Sequence, residues 1–119
     1  MHRILIVDDQ KKIRRIYASL LSSEGFSVMS AENADAANEI MKRHDVDLVL
    51  LDLKMPEATG GELYEVMTMF RRPCKVIVAS VYPTEEQRRV ICGANDYYDK
   101  SQSSEILLSK IRKVLVQGG

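Results

Sequence analysis

Three acids, a hydroxyl and a lysine each stand directly after a short strand-like run. Arg3-Ile4-Leu5-Ile6-Val7 is followed by Asp8-Asp9, and Leu48-Val49-Leu50-Leu51 by Asp52. Lys75-Val76-Ile77-Val78-Ala79 is followed by Ser80, and Asn95-Asp96-Tyr97-Tyr98-Asp99 by Lys100. Brought into one crevice, three carboxylates repel one another strongly, and a divalent cation is the usual remedy. Oxygen donors without His or Cys favour a hard ion, and a few carboxylates with waters and a phosphate are the Mg²⁺ pattern. A carboxylate can also act as a nucleophile and form an aspartyl-phosphate. Lys100 would supply positive charge to phosphoryl oxygens and Ser80 a hydroxyl donor, so the set holds the parts that phosphoryl transfer requires. Singly, each residue has an ordinary reading: Asp9 a helix cap, Asp52 or Ser80 a turn residue, Lys100 a solvated strand end. Their shared position argues for chemistry.

The elements that must position them follow from hydrophobic pattern. Unbroken apolar runs of strand length read as strands buried on both faces, as in parallel sheets. The runs before Asp8, Asp52 and Ser80 are of this kind and belong at the centre. Phe26-Ser27-Val28-Met29-Ser30 alternates, and residues 95–99 are polar and aromatic, so these are edges. Between them lie helical patterns. Ile13, Ile16, Tyr17, Leu20 and Leu21 share one face, with Asp9 able to cap the start and Gly25 placed for a left-handed end. Ala37, Ile40, Met41 and His44 share another. Leu63, Val66, Met67 and Phe70 mark a helix after Gly61. Thr84 and Gln87 have capping-box spacing for a short polar helix that stops at Gly93. The last helix starts at Ser103 or Ser104 and buries Leu107, Ile111, Val114 and Leu115. Five strands alternating with five helices predict a doubly wound, flavodoxin-like α/β domain with parallel strand order 2-1-3-4-5. In that order the ends of the first, third, fourth and fifth strands share one rim, where ligands sit in open α/β sheets.

The bulk properties set bounds. The 119 residues are 45% hydrophobic and 29% charged, which suits one globular domain with a real core. Lys+Arg and Asp+Glu are both 17, which argues against nucleic-acid binding through bulk charge. No apolar run approaches the ~20 residues of a membrane span. Met1-His2-Arg3 enters a strand without signal-peptide architecture. Cys74 and Cys92 lack metal or redox spacing and are expected to be reduced and packed, in a cytoplasmic protein. His2 and His44 are expected at the surface.

With those features in place, the chain resembles a response-regulator receiver domain of two-component signalling, from end to end. The matching features are Asp8-Asp9, Asp52-Leu53-Lys54-Met55-Pro56 with Gly60, Ser80, and Gly93-Ala94-Asn95-Asp96-Tyr97-Tyr98-Asp99-Lys100. The resemblance implies that Asp52 accepts a phosphoryl group from a phosphohistidine on a sensor histidine kinase or histidine phosphotransfer protein. It implies Mg²⁺ held by Asp8, Asp9, Asp52 and the backbone carbonyl of Lys54. Lys100 and Ser80 would contact the phosphoryl group, catalysing gain and loss of phosphate at Asp52. Tyr97 would be the switch aromatic that moves inward as Ser80 engages phosphate. Partner binding, or pairing of two copies, would use the face of the helix from Thr84, the fifth strand and the last helix. Three positions depart from the family pattern: Ser101 where proline is usual, Val81 where a very small residue is usual, and Pro83 close behind it. Residues 1–119 are expected to form one receiver without an output domain, either a stand-alone switch or a part of a longer chain.

Three other readings compete. An aspartate-nucleophile phosphatase of the haloacid dehalogenase-like group would carry Asp-x-Asp after the first strand, and here the acids are adjacent. A flavodoxin-like binding module would need a hydroxyl- and Gly-rich phosphate loop where Asp8-Asp9-Gln10-Lys11-Lys12 stands. A receiver that binds partners without phosphorylation has no need of all five site residues.

Overall fold

The computed structural model describes residues 2–52 and 74–116. Five strands form one parallel sheet in the order β2-β1-β3-β4-β5: β1 (Arg3–Val7), β2 (Ser27–Ala31), β3 (Leu48–Asp52), β4 (Lys75–Ser80) and β5 (Asp96–Asp99). Four helices lie among the described residues: α1 (Lys11–Ser23), α2 (Ala34–Arg43), α3 (Thr84–Val90) and α4 (Ser104–Val116). The fold class and strand order are those expected. The helix expected to carry Leu63, Val66, Met67 and Phe70 falls outside the described residues, as do Lys54, Pro56, Gly60 and Gly61.

Side chains alternate across each strand, so every strand supplies two cores. Ile4, Ile6, Leu48, Leu50, Ile77, Ala79 and Tyr98 face Leu21 of α1 and Leu107, Leu108, Ile111 and Val114 of α4. Leu5, Val7, Val49, Leu51, Val76, Val78 and Tyr97 face Ala37, Ile40 and Met41 of α2 and Ile91 beyond α3. Both faces of β1, β3 and β4 are dry, which is why their sequences show no polar alternation. Edge strand β5 is short and still buries both tyrosines, one in each core.

Several local expectations shift. Ile16 is 52% exposed, because it sits at the margin of the face centred on Tyr17 and Leu21. The N-cap of α1 is Gln10, without a side-chain cap bond, so Asp9 does not cap that helix. At the other end Gly25 takes φ 91°, with Gly25 N–H bonded to Ser22 O and Phe26 N–H to Leu21 O. This pair is the Schellman pattern, and a left-handed residue there favours glycine. Helix α2 is capped by Asn33, whose side chain accepts from the Ala36 N–H. The capping box at Thr84 does not form. Helix α3 begins one residue earlier than that motif requires, with Pro83 as N-cap. Proline has no N–H to donate in the reciprocal bond. The helix ends at Val90, three residues short of Gly93. Cys92 is exposed rather than packed, while Cys74 is buried.

The two thiols should therefore behave differently. Iodoacetamide at mildly alkaline pH should alkylate Cys92 in the folded protein and leave Cys74 until the protein is unfolded. Burial pushes the Cys74 thiol from its ordinary 9.0 up to about 11, with the nearby Asp47 charge adding to the rise. A folded pKa above the unfolded one gives stability that is full below the unfolded value and lost as pH rises through the folded value. Urea titrations should show that loss setting in above pH 9 and levelling beyond about 11. Its size should be on the order of 2–3 kcal/mol, and Cys74→Ser should reduce it.

Candidate functional site: the rim at the carboxyl ends of the strands

Register explains the site. Ile6 pairs with Leu50 and Val7 with Leu51, so Asp8 and Asp52 end neighbouring strands with side chains on the same face. Asp52 lies opposite Ala79, and Ser80 lies opposite Asp99, which delivers Lys100 one step further along the rim. The Lys100 N–H donates to Ser80 O at 2.8 Å, carrying the β4–β5 ladder to the edge of the site.

Asp52 is 7% exposed and Asp8 5%. The Lys100 ammonium forms an ion pair with Asp52 Oδ1. Neither Asp52 oxygen accepts a well-directed hydrogen bond among the described residues. Burial pushes the Asp52 carboxyl up to about 8; the neighbouring Asp8 carboxyl adds to this, and Lys100 pulls against it. Asp52 thus holds a proton more tightly than an ordinary aspartate, because burial and the second acid outweigh the one lysine. Asp8 is itself anchored: its Oδ1 accepts from the Gln10 N–H at 2.7 Å, and its carbonyl accepts from Arg14 Nη1 at 2.7 Å. The bond from Arg14 was not foreseen from sequence. Its only signal there is a cation at the fourth residue of the helix that follows the acids.

The other expected residues fall as follows. Asp9 is exposed. No group of three or more His, Cys, Asp or Glu side chains that could hold a metal occurs among the described residues. The carbonyl of Lys54 lies outside them. Ser80 is buried, and its Oγ accepts from the Tyr82 N–H at 3.3 Å. Val81, next to it, is 65% exposed. Ser101 uses the N–H that proline would lack: its N–H and its hydroxyl both donate to Asp99 Oδ1, at 2.8 and 2.7 Å. Those bonds hold the Asp99 carboxyl below its usual range.

Tyr97 projects into the α2/α3 core and is 1% exposed, with its ring beneath the Arg88 guanidinium at 4.5 Å. Its hydroxyl donates to Ile91 O and accepts from the Ala94 N–H. On the opposite face, the phenol of Tyr17 is raised above its ordinary pKa, first by burial and then by the negative charge of Asp52. Tyr98, on that face, spans to the next loop by donating to Gln102 O. Sequence reading gave Gln87 a capping role and missed its inward one. It is 5% exposed, and its Nε2 donates to Tyr82 O at 2.7 Å and Tyr98 O at 2.9 Å.

Fold and rim define a doubly wound α/β domain with an acid-lined site closed by a lysine. Residues 4–112 match the response regulator receiver domain family. The chain is 36% identical over 114 residues to the probable transcriptional regulator ycf27 of Porphyridium aerugineum, covering 95% of this chain and 48% of that protein. It is 31% identical over 116 residues to the transcriptional regulatory protein CpxR of Klebsiella pneumoniae, covering 97% and 50%. The chain thus spans about half the length of these curated relatives. The crystal structure of the response regulator TrrA from Thermotoga maritima, in complex with Mg²⁺-BeF, matches with a TM-score of 0.78 at 30% identity, covering 96% of this chain and 99% of that one. The chain belongs to the response regulator receiver domain family of two-component signal transduction.

The buried Tyr97 hydroxyl gives a stability test. Tyr97→Phe strands the Ala94 N–H and the Ile91 carbonyl. It should destabilise the domain by about 1–3 kcal/mol, seen as a lower urea midpoint with unchanged slope.

Proposed function

We propose that this receiver accepts a phosphoryl group on Asp52 from the phosphohistidine of a sensor histidine kinase or histidine phosphotransfer protein. The observation that carries this reading is the state of Asp52. It is a buried carboxyl group at the end of the central strand, paired with Lys100, beside Asp8, and without a hydrogen-bond partner among the described residues. A carboxylate oxygen bonds to phosphorus as the phosphorus–nitrogen bond breaks, and the electron pair returns to the imidazole. Lys100 balances charge on the phosphoryl oxygens, and the Ser80 hydroxyl donates to one of them.

The chemistry of the donors supports Mg²⁺ as the cation. Asp8 and Asp52 are hard oxygen donors side by side, and neither Asp52 oxygen has a hydrogen-bond partner among the described residues. Asp8, Asp9, Asp52 and the carbonyl of Lys54 would hold it. When bound, Mg²⁺ would neutralise the carboxylates and the transferred oxygens. The Mg²⁺-BeF complex of the TrrA structure supports this reading.

Output would leave by the face of α3, β5 and α4. Tyr97 sits under α3, and Lys110 of α4 donates to Tyr97 O at 2.6 Å, so one side chain links the elements of that face. A partner protein, or a second copy of the domain, binds there in this reading. Where the receiver is one half of a longer regulator, as in the transcriptional regulators it resembles, that face controls the other half.

Incubation with Mg²⁺ and acetyl phosphate should add one acid-stable, base-labile phosphoryl group. Asp52→Asn should abolish it in intact-mass measurements, and undiminished labelling of that variant would overturn the assignment. Asp9→Ala should raise the Mg²⁺ concentration needed, through loss of one ligand.

A further inference from the structure

We infer that Gln87 is a positioning residue that aims the Ser80 hydroxyl at the phosphoryl group, an inference that rests on Asp52 being the acceptor. Gln87 stands in the first turn of α3, and its side chain turns inward rather than back to the helix start. Its amide places both N–H groups on backbone carbonyls, Tyr82 O at 2.7 Å and Tyr98 O at 2.9 Å. Two carbonyl acceptors fix which end of the amide is nitrogen.

The consequence runs through Tyr82. The carbonyl of this residue is held by Gln87, and its N–H donates to Ser80 Oγ at 3.3 Å. A hydroxyl has one proton and two lone pairs. With one lone pair taken by the Tyr82 N–H, the hydroxyl proton is directed away from that loop and kept for an acceptor. The second bond of Gln87 reaches Tyr98, two residues before Lys100, and the Lys100 N–H donates to Ser80 O at 2.8 Å. One buried amide therefore ties the loop after Ser80 to the strand that carries Lys100. Those are the two groups that meet phosphoryl oxygens.

Packing alone does not account for a glutamine here. Its Oε1 is buried without a hydrogen-bond partner among the described residues. A methionine would fill similar space without that unmet acceptor. The fold keeps the amide for its two donors, both spent on the site's supporting backbone.

The test compares Gln87→Met in two backgrounds. With Ser80 present, phosphorylation by acetyl phosphate at saturating Mg²⁺ should slow about tenfold. With Ser80→Ala, the same substitution should change the rate by less than about twofold, because residues acting through one another are not additive. Equal slowing in both backgrounds, or none with Ser80 present, overturns the inference. Amide exchange supplies a reading independent of phosphorylation. Gln87→Met should raise exchange of the Tyr82 N–H about tenfold and leave Val76, Ile77 and Val78 unchanged. Unchanged Tyr82 protection, or loss of protection throughout β4, overturns it equally. If the unsubstituted protein takes up no phosphoryl group, the acceptor reading fails, and the exchange result still decides whether Gln87 holds the loop at Ser80.

Discussion

A carboxylate buried at the end of the central strand is the constraint around which this domain is built. Removing Asp52 from water is unfavourable, and a second acid, Asp8, stands beside it on the same face. The ion pair with Lys100 offsets part of that cost, but a lysine drawn from the edge of the sheet does not satisfy both carboxyl groups. A site in this condition is unstable toward anything that brings positive charge or takes up an oxygen lone pair. In the proposed function, cation binding and phosphoryl transfer both do so.

The sheet makes that arrangement unavoidable once its order is set. Alternation of side chains sends Asp8 and Asp52 toward α1 and α4, and Ser80 toward α3 with Tyr97. The acids and the hydroxyl therefore approach the rim from different sides of the sheet. The two sides are coupled through β5. Its Tyr97 and Tyr98 belong to separate cores, its carbonyls take side-chain donors from Lys110 and Gln87, and its end delivers Lys100. In the proposed function, this short strand is the route by which a charge change at Asp52 would reach α3 and α4.

How far the sequence foretold this depends on the scale of the feature. Strand order was legible because three fully apolar runs must be central and two mixed ones must be edges. The rim residues were legible because each stands one step beyond its strand, where register leaves little freedom. Finer features turned on a single residue of register. Thr84 and Gln87 have capping-box spacing, yet Pro83 takes the cap, so Gln87 moves one position along the helix and turns into the core. Likewise Gln10, not Asp9, precedes α1, which leaves Asp9 exposed. Exposure at Ile16 and Cys92 depends on where neighbouring elements stop, which periodicity within one segment does not encode.

In the proposed function the buried carboxyl of Asp52 is completed by a cation. Thermal unfolding across a Mg²⁺ titration tests it most directly, with wild type and Asp52→Asn side by side. A ligand specific to the folded state stabilises it by about 2.7 kcal/mol when its free concentration is about a hundredfold above Kd. The midpoint should climb with Mg²⁺ in the wild type and stay flat in Asp52→Asn. The same climb in both proteins, or none in either, would contradict it.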